Sequence, residues 1–141
     1  MARGYNKSNT SVYQMLYHYV WIPKRRKPVL IGDVKKRLIA LIKEKLSELK
    51  CKIVELQVMS DHVHLFVESN PRLSPNYILQ QVKGYTSHEL REEFPHLRKL
   101  PSLWTDSYFV SSAGDVSKFI IEKYIQEQTN AKNKHCRAKA K

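Results

Sequence analysis

The stretch "SDHVHLFVE", residues 60–68, sets two histidines one residue apart inside an apolar run. Alternate side chains of a strand share a face. His62 and His64 then point the same way, with Phe66 beyond them, while Val63, Leu65 and Val67 point to the other side. Two neutral imidazoles at this spacing can share one metal ion. A second pair lies in "DVSKFIIEKYIQEQTN", where Tyr124 and Gln128 stand four residues apart and stack one helical turn from each other. Both fall in the arc that also holds Ile120, Ile121 and Ile125, so they face the protein body. A tyrosine there can be a packed residue with a satisfied hydroxyl. The glutamine is harder to explain by packing, because a buried amide costs free energy unless it is paired.

The elements that must carry these residues follow from periodicity. "SVYQMLYHYVWIP" is rich in Tyr, Val and Trp and reads as a strand closed by Pro23. "KRRKPVLIGD" is a basic loop. Asp33 is placed to cap a helix from Val34 to about residue 50, with Val34, Leu38, Ile39, Leu41, Ile42, Leu46 and Leu49 at helical spacing. "CKIVELQVM" alternates. It predicts Ile53, Glu55, Gln57 and Met59 on one face and Val54, Leu56 and Val58 on the other. A tight turn at Ser60-Asp61 joins it to the histidine strand as a hairpin. A second helix is expected from Pro75 to Phe94, ended by Pro95. "LWTDSYFVSS" reads as a fourth strand, straight or bulged. Gly114 breaks it and Asp115 starts a last helix to about Asn130. The order β-α-β-β-α-β-α predicts an α+β, ferredoxin-like split βαβ sandwich, an antiparallel sheet with helices on one face. The histidines then sit on the face left open, a layout shared by many nucleic-acid binders.

The chain has 141 residues, which suits one domain over residues 1–141, with 1–10 and 131–141 read as basic flexible tails. A formal net charge of +12 argues for a polyanionic partner, nucleic acid first. No apolar run approaches a membrane span. "MARGYNKSNT" has no apolar core of a secretory signal. Cys51 and Cys136 stand in no metal-type spacing and read as free thiols in a reducing compartment, a cytoplasm. Lys24, Arg25, Arg26 and Lys27 form a run where phosphates could dock, or a solvated turn. Trp104 and Tyr108 could stack on unpaired bases, or belong to the core or a dimer contact. Glu55 and Gln57, facing the same side as His62, read as an ordinary polar pair or as partners that orient an imidazole.

"MSDHVHLFVE", "QVKGYTSHEL", "LWTDSYFVSSAG" and "EKYIQEQ", with "YHYVWIPKRRKPVL" before them, together resemble the single-tyrosine transposases of the IS200/IS605 insertion-sequence family, within the HUH endonucleases. The resemblance spans about residues 11 to 130. It implies that His62 and His64 hold a divalent metal, that Tyr124 is the nucleophile and that Gln128 is the third metal ligand. It further implies action on single-stranded DNA at hairpin-bearing element ends through a covalent 5′-phosphotyrosine. The expected partner is a second copy of the chain, in a homodimer whose last helix can complete the partner's active site. Lys83 and Gly84 match a family motif, read as a phosphate contact and a close backbone approach. The one departure is Ser60, where the family usually has proline.

That chemistry suits these residues. A phenol has a pKa of about 10 and needs help to lose its proton. Mg²⁺ or Mn²⁺ is expected, with two imidazoles favouring Mn²⁺. The chain shows no P-loop glycine motif for a nucleotide cofactor. A replication-initiator-type HUH nicking enzyme is an alternative, though the chain is small. A non-catalytic RRM-like nucleic-acid-binding domain is another, but it would place stacking aromatics where His62 and His64 stand. A zinc hydrolase lacks a further carboxylate or histidine at ligand spacing.

Overall fold

A computed structural model of the chain describes residues 6–7, 12–13, 15–112 and 124–126. Two short strands, β1 (Asn6–Lys7) and β2 (Val12–Tyr13), pair with each other. The main sheet has four antiparallel strands: β3 (Leu16–Trp21), β4 (Lys52–Met59), β5 (His62–Glu68) and β6 (Phe109–Ser112). Their spatial order is β4-β5-β3-β6. Helices α1 (Gly32–Glu48) and α2 (Pro75–Glu93) are the two crossovers, so the split βαβ sandwich stands. No helix among the described residues is long and apolar enough to cross a membrane.

One side of the sheet carries the core. Tyr19 and Trp21 of β3 and Val63, Leu65 and Val67 of β5 pack on Leu38, Leu41, Ile42 and Leu46 of α1 and on Ile78, Leu79, Val82 and Leu90 of α2. Each such aliphatic side chain contributes about 1.5–3 kcal/mol by leaving water. The β5 burial alternates residue by residue, with the three apolar positions buried and His62, His64, Phe66 and Glu68 only partly so. Cys51, immediately before β4, is a free, buried thiol.

Three local expectations are corrected. Helix α1 begins before Asp33, at Gly32, whose φ of 56° is a left-handed value that glycine adopts without steric cost. Asp33 therefore sits inside the first turn, and the cap position is Ile31. In β4, a register shift falls between Ile53 and Glu55: Ile53 pairs with Val67 and Glu55 with Phe66. The extra residue, Val54, is 48% exposed. A bulge of this kind flips the alternation on one side of it. Ile53 thus faces the core, while Glu55, Gln57 and Met59 keep the predicted open face. Lastly, the fourth strand is only Phe109–Ser112. Trp104 makes a single bridge to Pro23, flanked by Lys24 N–H donating to the Leu103 carbonyl and Thr105 N–H to that of Ile22. A turn closed by the Thr105 hydroxyl on the Ser107 carbonyl then separates this bridge from β6. Gly114, Asp115, Gln128, Cys136, the tails and most of the expected last helix lie outside the described residues; of that helix, Tyr124–Gln126 are described and helical.

Candidate active site

The hairpin β4–β5 turns at Ser60-Asp61, so His62 opens β5 at the end of the sheet and His64 follows one pleat further in. Register places them in rows across the open face. Met59 lies opposite His62; Gln57, His64, Val20 and Phe109 form the next row; Glu55, Phe66, His18 and Ser111 form the one after. Each histidine has its own polar partner. His62 Nδ1 lies 2.9 Å from an oxygen of Asp61, whose other oxygen pairs with Arg26 Nε at 2.8 Å. Burial works against the Asp61 carboxylate, but the His62 hydrogen bond and the Arg26 charge outweigh it and hold its pKa below the ordinary value. The carboxylate thus engages one nitrogen of His62 and leaves Nε2 as the outer one, the arrangement usual for a metal-ligating histidine. His64 Nε2 lies 3.2 Å from Nδ1 of His18. Burial lowers the pKa of both His18 and His64, so both imidazoles are neutral at pH 7, the form that binds metals.

His18 was not singled out from the sequence. Strand parity contains the signal: with Tyr19 and Trp21 assigned to the core, His18 must face the other way. The βαββαβ order then makes its strand the neighbour of the histidine strand.

Tyr124 arrives on the same face. Ile125 packs on Val20, with Tyr124 and Phe109 against the pair, and the Tyr124 and Phe109 rings lie 5.6 Å apart. Val20 is the residue opposite His64, so the segment is seated beside the histidines. The Tyr124 hydroxyl is closed off from solvent. Burial raises its pKa, and the Ser107 side chain draws it partly back. At rest it is a protonated phenol.

The expected DNA contacts divide. Arg25 and Lys27 are exposed and Lys24 partly so. Arg25 and Arg26 both adopt left-handed φ values, 58° and 51°, in a tight turn. That turn presents Arg25 outward while Arg26 is committed to Asp61. The end of the loop is also tied to the histidine hairpin, through Leu30 N–H on the Ser60 carbonyl at 3.0 Å. Trp104 and Lys83 are corrections. Trp104 is 4% exposed, meets Trp21 edge to face and donates its indole N–H to the Thr86 hydroxyl. It is the core residue that its place in an apolar stretch also allowed. Lys83 is 7% exposed and donates to the Thr105 carbonyl at 2.8 Å, above the Tyr108 ring. Burial lowers its pKa, and it ties α2 to the loop before β6. Tyr108 is engaged with Asn76. Gly84 is exposed, and a Cβ there would meet nothing within 4 Å, so no close approach within the chain requires it.

Among the described residues, no three His, Cys, Asp or Glu side chains converge to hold an ion unaided. His62 and His64 supply two nitrogen donors on one face, and a further donor from the Tyr124 segment would complete a set. Gln128, the residue expected for this, lies outside the described residues. Glu55 and Gln57 face the histidines, with Gln57 directly opposite His64 in register, and both are exposed.

Comparison with known proteins shows the family. The family model described as "Transposase IS200 like" matches residues 11–128. The ISDra2 transposase TnpA of Deinococcus radiodurans is 29% identical over 130 residues, covering 90% of this chain and 89% of that protein. The transposase for insertion sequence element IS200 of Salmonella typhimurium is 32% identical over 117 residues, covering 79% and 75%. A crystal structure from Deinococcus radiodurans, described as a transposase, superposes with a TM-score of 0.81 at 30% identity, over 87% of this chain and 97% of that one. A REP-associated tyrosine transposase solved with a REP hairpin shares the fold, with a TM-score of 0.54 at 13% identity, over 86% and 68%.

Proposed function

The chain belongs to the IS200-like transposase family, and from that premise we propose that it cuts and rejoins single-stranded DNA at insertion-sequence ends through a covalent 5′-phosphotyrosine on Tyr124. The observation that carries the reading is the seat of Tyr124: its segment packs on Val20, directly across from His64, on the face where both histidines stand. A divalent cation, Mg²⁺ or Mn²⁺, held by His62, His64 and Gln128, would supply Lewis-acid polarisation of the scissile phosphate. The chain's own residues do the rest. Asp61, charged and braced by Arg26, keeps the His62 ring in one orientation. The Tyr124 oxygen attacks phosphorus and loses its proton. The bond to the 3′ oxygen breaks, and that oxygen takes up one proton, matching the one the phenol gives up, and leaves as a free 3′-OH. A second 3′-OH then displaces tyrosine, re-forming the phosphodiester and restoring the phenol. Atoms balance without a nucleotide cofactor, because the phosphotyrosine preserves the bond energy.

The test incubates the protein with a labelled single strand carrying a hairpin, with and without Mn²⁺. A metal-dependent, SDS-resistant protein–DNA adduct is the expected result. Strand scission with no adduct would remove Tyr124 from the chemistry.

Binding is expected to weaken steeply with salt, by about 0.7 log units of affinity per log unit of salt for each phosphate neutralised on a single strand. Replacing the exposed Arg25 and Lys27 with alanine should lower that slope. An unchanged slope would return the run to a solvated turn.

The reading extends to a homodimer with shared sites, a proposal that rests on the resemblance to the family alone, because within the single chain the Tyr124 segment packs on its own sheet. Mixing Tyr124→Phe subunits with His62→Ala, His64→Ala subunits is then expected to restore one working site per mixed dimer. Background activity in the mixture would instead assign Tyr124 to the sheet of its own subunit.

A further inference from the structure

His18 is held by two contacts of different kinds. Its ring lies on the Phe66 ring with centroids 4.2 Å apart and planes 3° from parallel. Its Nδ1 lies 3.2 Å from His64 Nε2, with those two rings 5.4 Å apart and tilted by 25°. Stacking alone would be served by any aromatic residue. The nitrogen directed at His64 is what stacking does not require.

We infer that His18 is a positioning residue for His64: it fixes which nitrogen of His64 carries the proton and where that ring points. A neutral imidazole has one donor and one acceptor nitrogen, and with His64 Nε2 turned to His18 only the His64 Nδ1 is left for a metal, so the tautomer that His18 supports is the one in which His64 Nε2–H donates to His18 Nδ1. Phe66 keeps the His18 ring flat, and the β3–β5 register sets its height along the sheet, so the His18 nitrogen is a stationary reference for His64. His62 is oriented by a carboxylate and His64 by a third imidazole, which gives each site histidine a separate brace. An outer partner of this kind is worth about 10–100-fold in metal affinity where it has been removed from metal sites. The inference rests on the reading of His64 as a site histidine.

Two variants separate the bond from the stack. His18→Phe keeps an aromatic ring on Phe66 and removes the nitrogen. His18→Asn keeps a polar side-chain group close to the position of Nδ1 and gives up the ring. Imidazole ¹⁵N spectra of the metal-free protein report the His64 tautomer, and titration calorimetry with Mn²⁺ alone reports affinity. A single dominant His64 tautomer is expected in the wild type and in His18→Asn. Exchanging tautomers are expected in His18→Phe, with Mn²⁺ binding weakened about 10–100-fold. An unchanged tautomer and unchanged affinity in His18→Phe would overturn the inference. So would a loss confined to His18→Asn, which would make the stack the working contact. The tautomer comparison uses no metal. If the wild type binds no Mn²⁺, the metal reading fails by itself while the spectra still decide the role of His18.

Discussion

Tyr124→Phe is expected to remove cleavage and the covalent protein–DNA adduct while leaving DNA binding close to wild type. Phenylalanine preserves the packing against Val20, Phe109 and Ile125 and deletes only the hydroxyl. That hydroxyl is shut off from solvent, and burial raises its pKa, so the resting phenol is a poor nucleophile. Activity then depends on the site drawing the proton away, which no neighbouring side chain can replace once the oxygen is gone. Denaturing electrophoresis of a labelled single strand reads both outcomes at once, the cut and the protein-linked band. The chain has eight tyrosines. An adduct that persists in Tyr124→Phe would move the nucleophile to one of the other seven.

His62→Ala and His64→Ala are each expected to cost at least the factor of about 10–100 in metal affinity that loss of a mere outer partner costs. Cleavage should fall in parallel, and the fold should survive. The two side chains stand on the open face and are only partly buried, while the fully buried neighbours Val63 and Leu65 support the core. Calorimetric titration with Mn²⁺ and a thermal melt of each variant separate the alternatives. A sharp fall in Tm in both variants, together with no Mn²⁺-induced rise in the wild type, would make the pair a structural element.

Much of this arrangement was legible in residue order alone. The two-residue period of β5 put His62 and His64 on the open face, because a strand admits only two faces and three consecutive apolar alternates claimed one of them. Both crossover helices followed from spacing and from the prolines around α2, where Ser74 caps the helix by accepting the Tyr77 N–H. What escaped depends on pairing between distant segments. The Val54 bulge is a property of how β4 meets β5 and leaves no mark in β4 itself. His18 became interesting only once β3 lay beside β5. Lys83 is read as a phosphate contact from the family motif that it matches, and a motif does not show which way a helical lysine points. Its burial is supported by the Thr105 carbonyl, which accepts a hydrogen bond from its ammonium and belongs to another part of the chain. Trp104 had two readings open, and the Thr86 hydroxyl, which satisfies its indole, decided for the interior. Arg26 was grouped with its basic neighbours, although its left-handed backbone turns it toward Asp61.

The Val54 bulge has a consequence for colloidal behaviour. Among the described residues the sheet has two outer strands, β4 and β6, and β4 is the longer. A long, flat outer strand is a template on which another chain can add, the first step of many aggregation routes. In β4 the regular pleat is broken at Val54, and the charged Lys52 and Glu55 stand exposed on either side of the break. An incoming strand would have to match an irregular register and pass two charges of opposite sign. The bulge that reorients Ile53 toward the core therefore also makes this edge a poor seed for runaway strand stacking when the protein is concentrated.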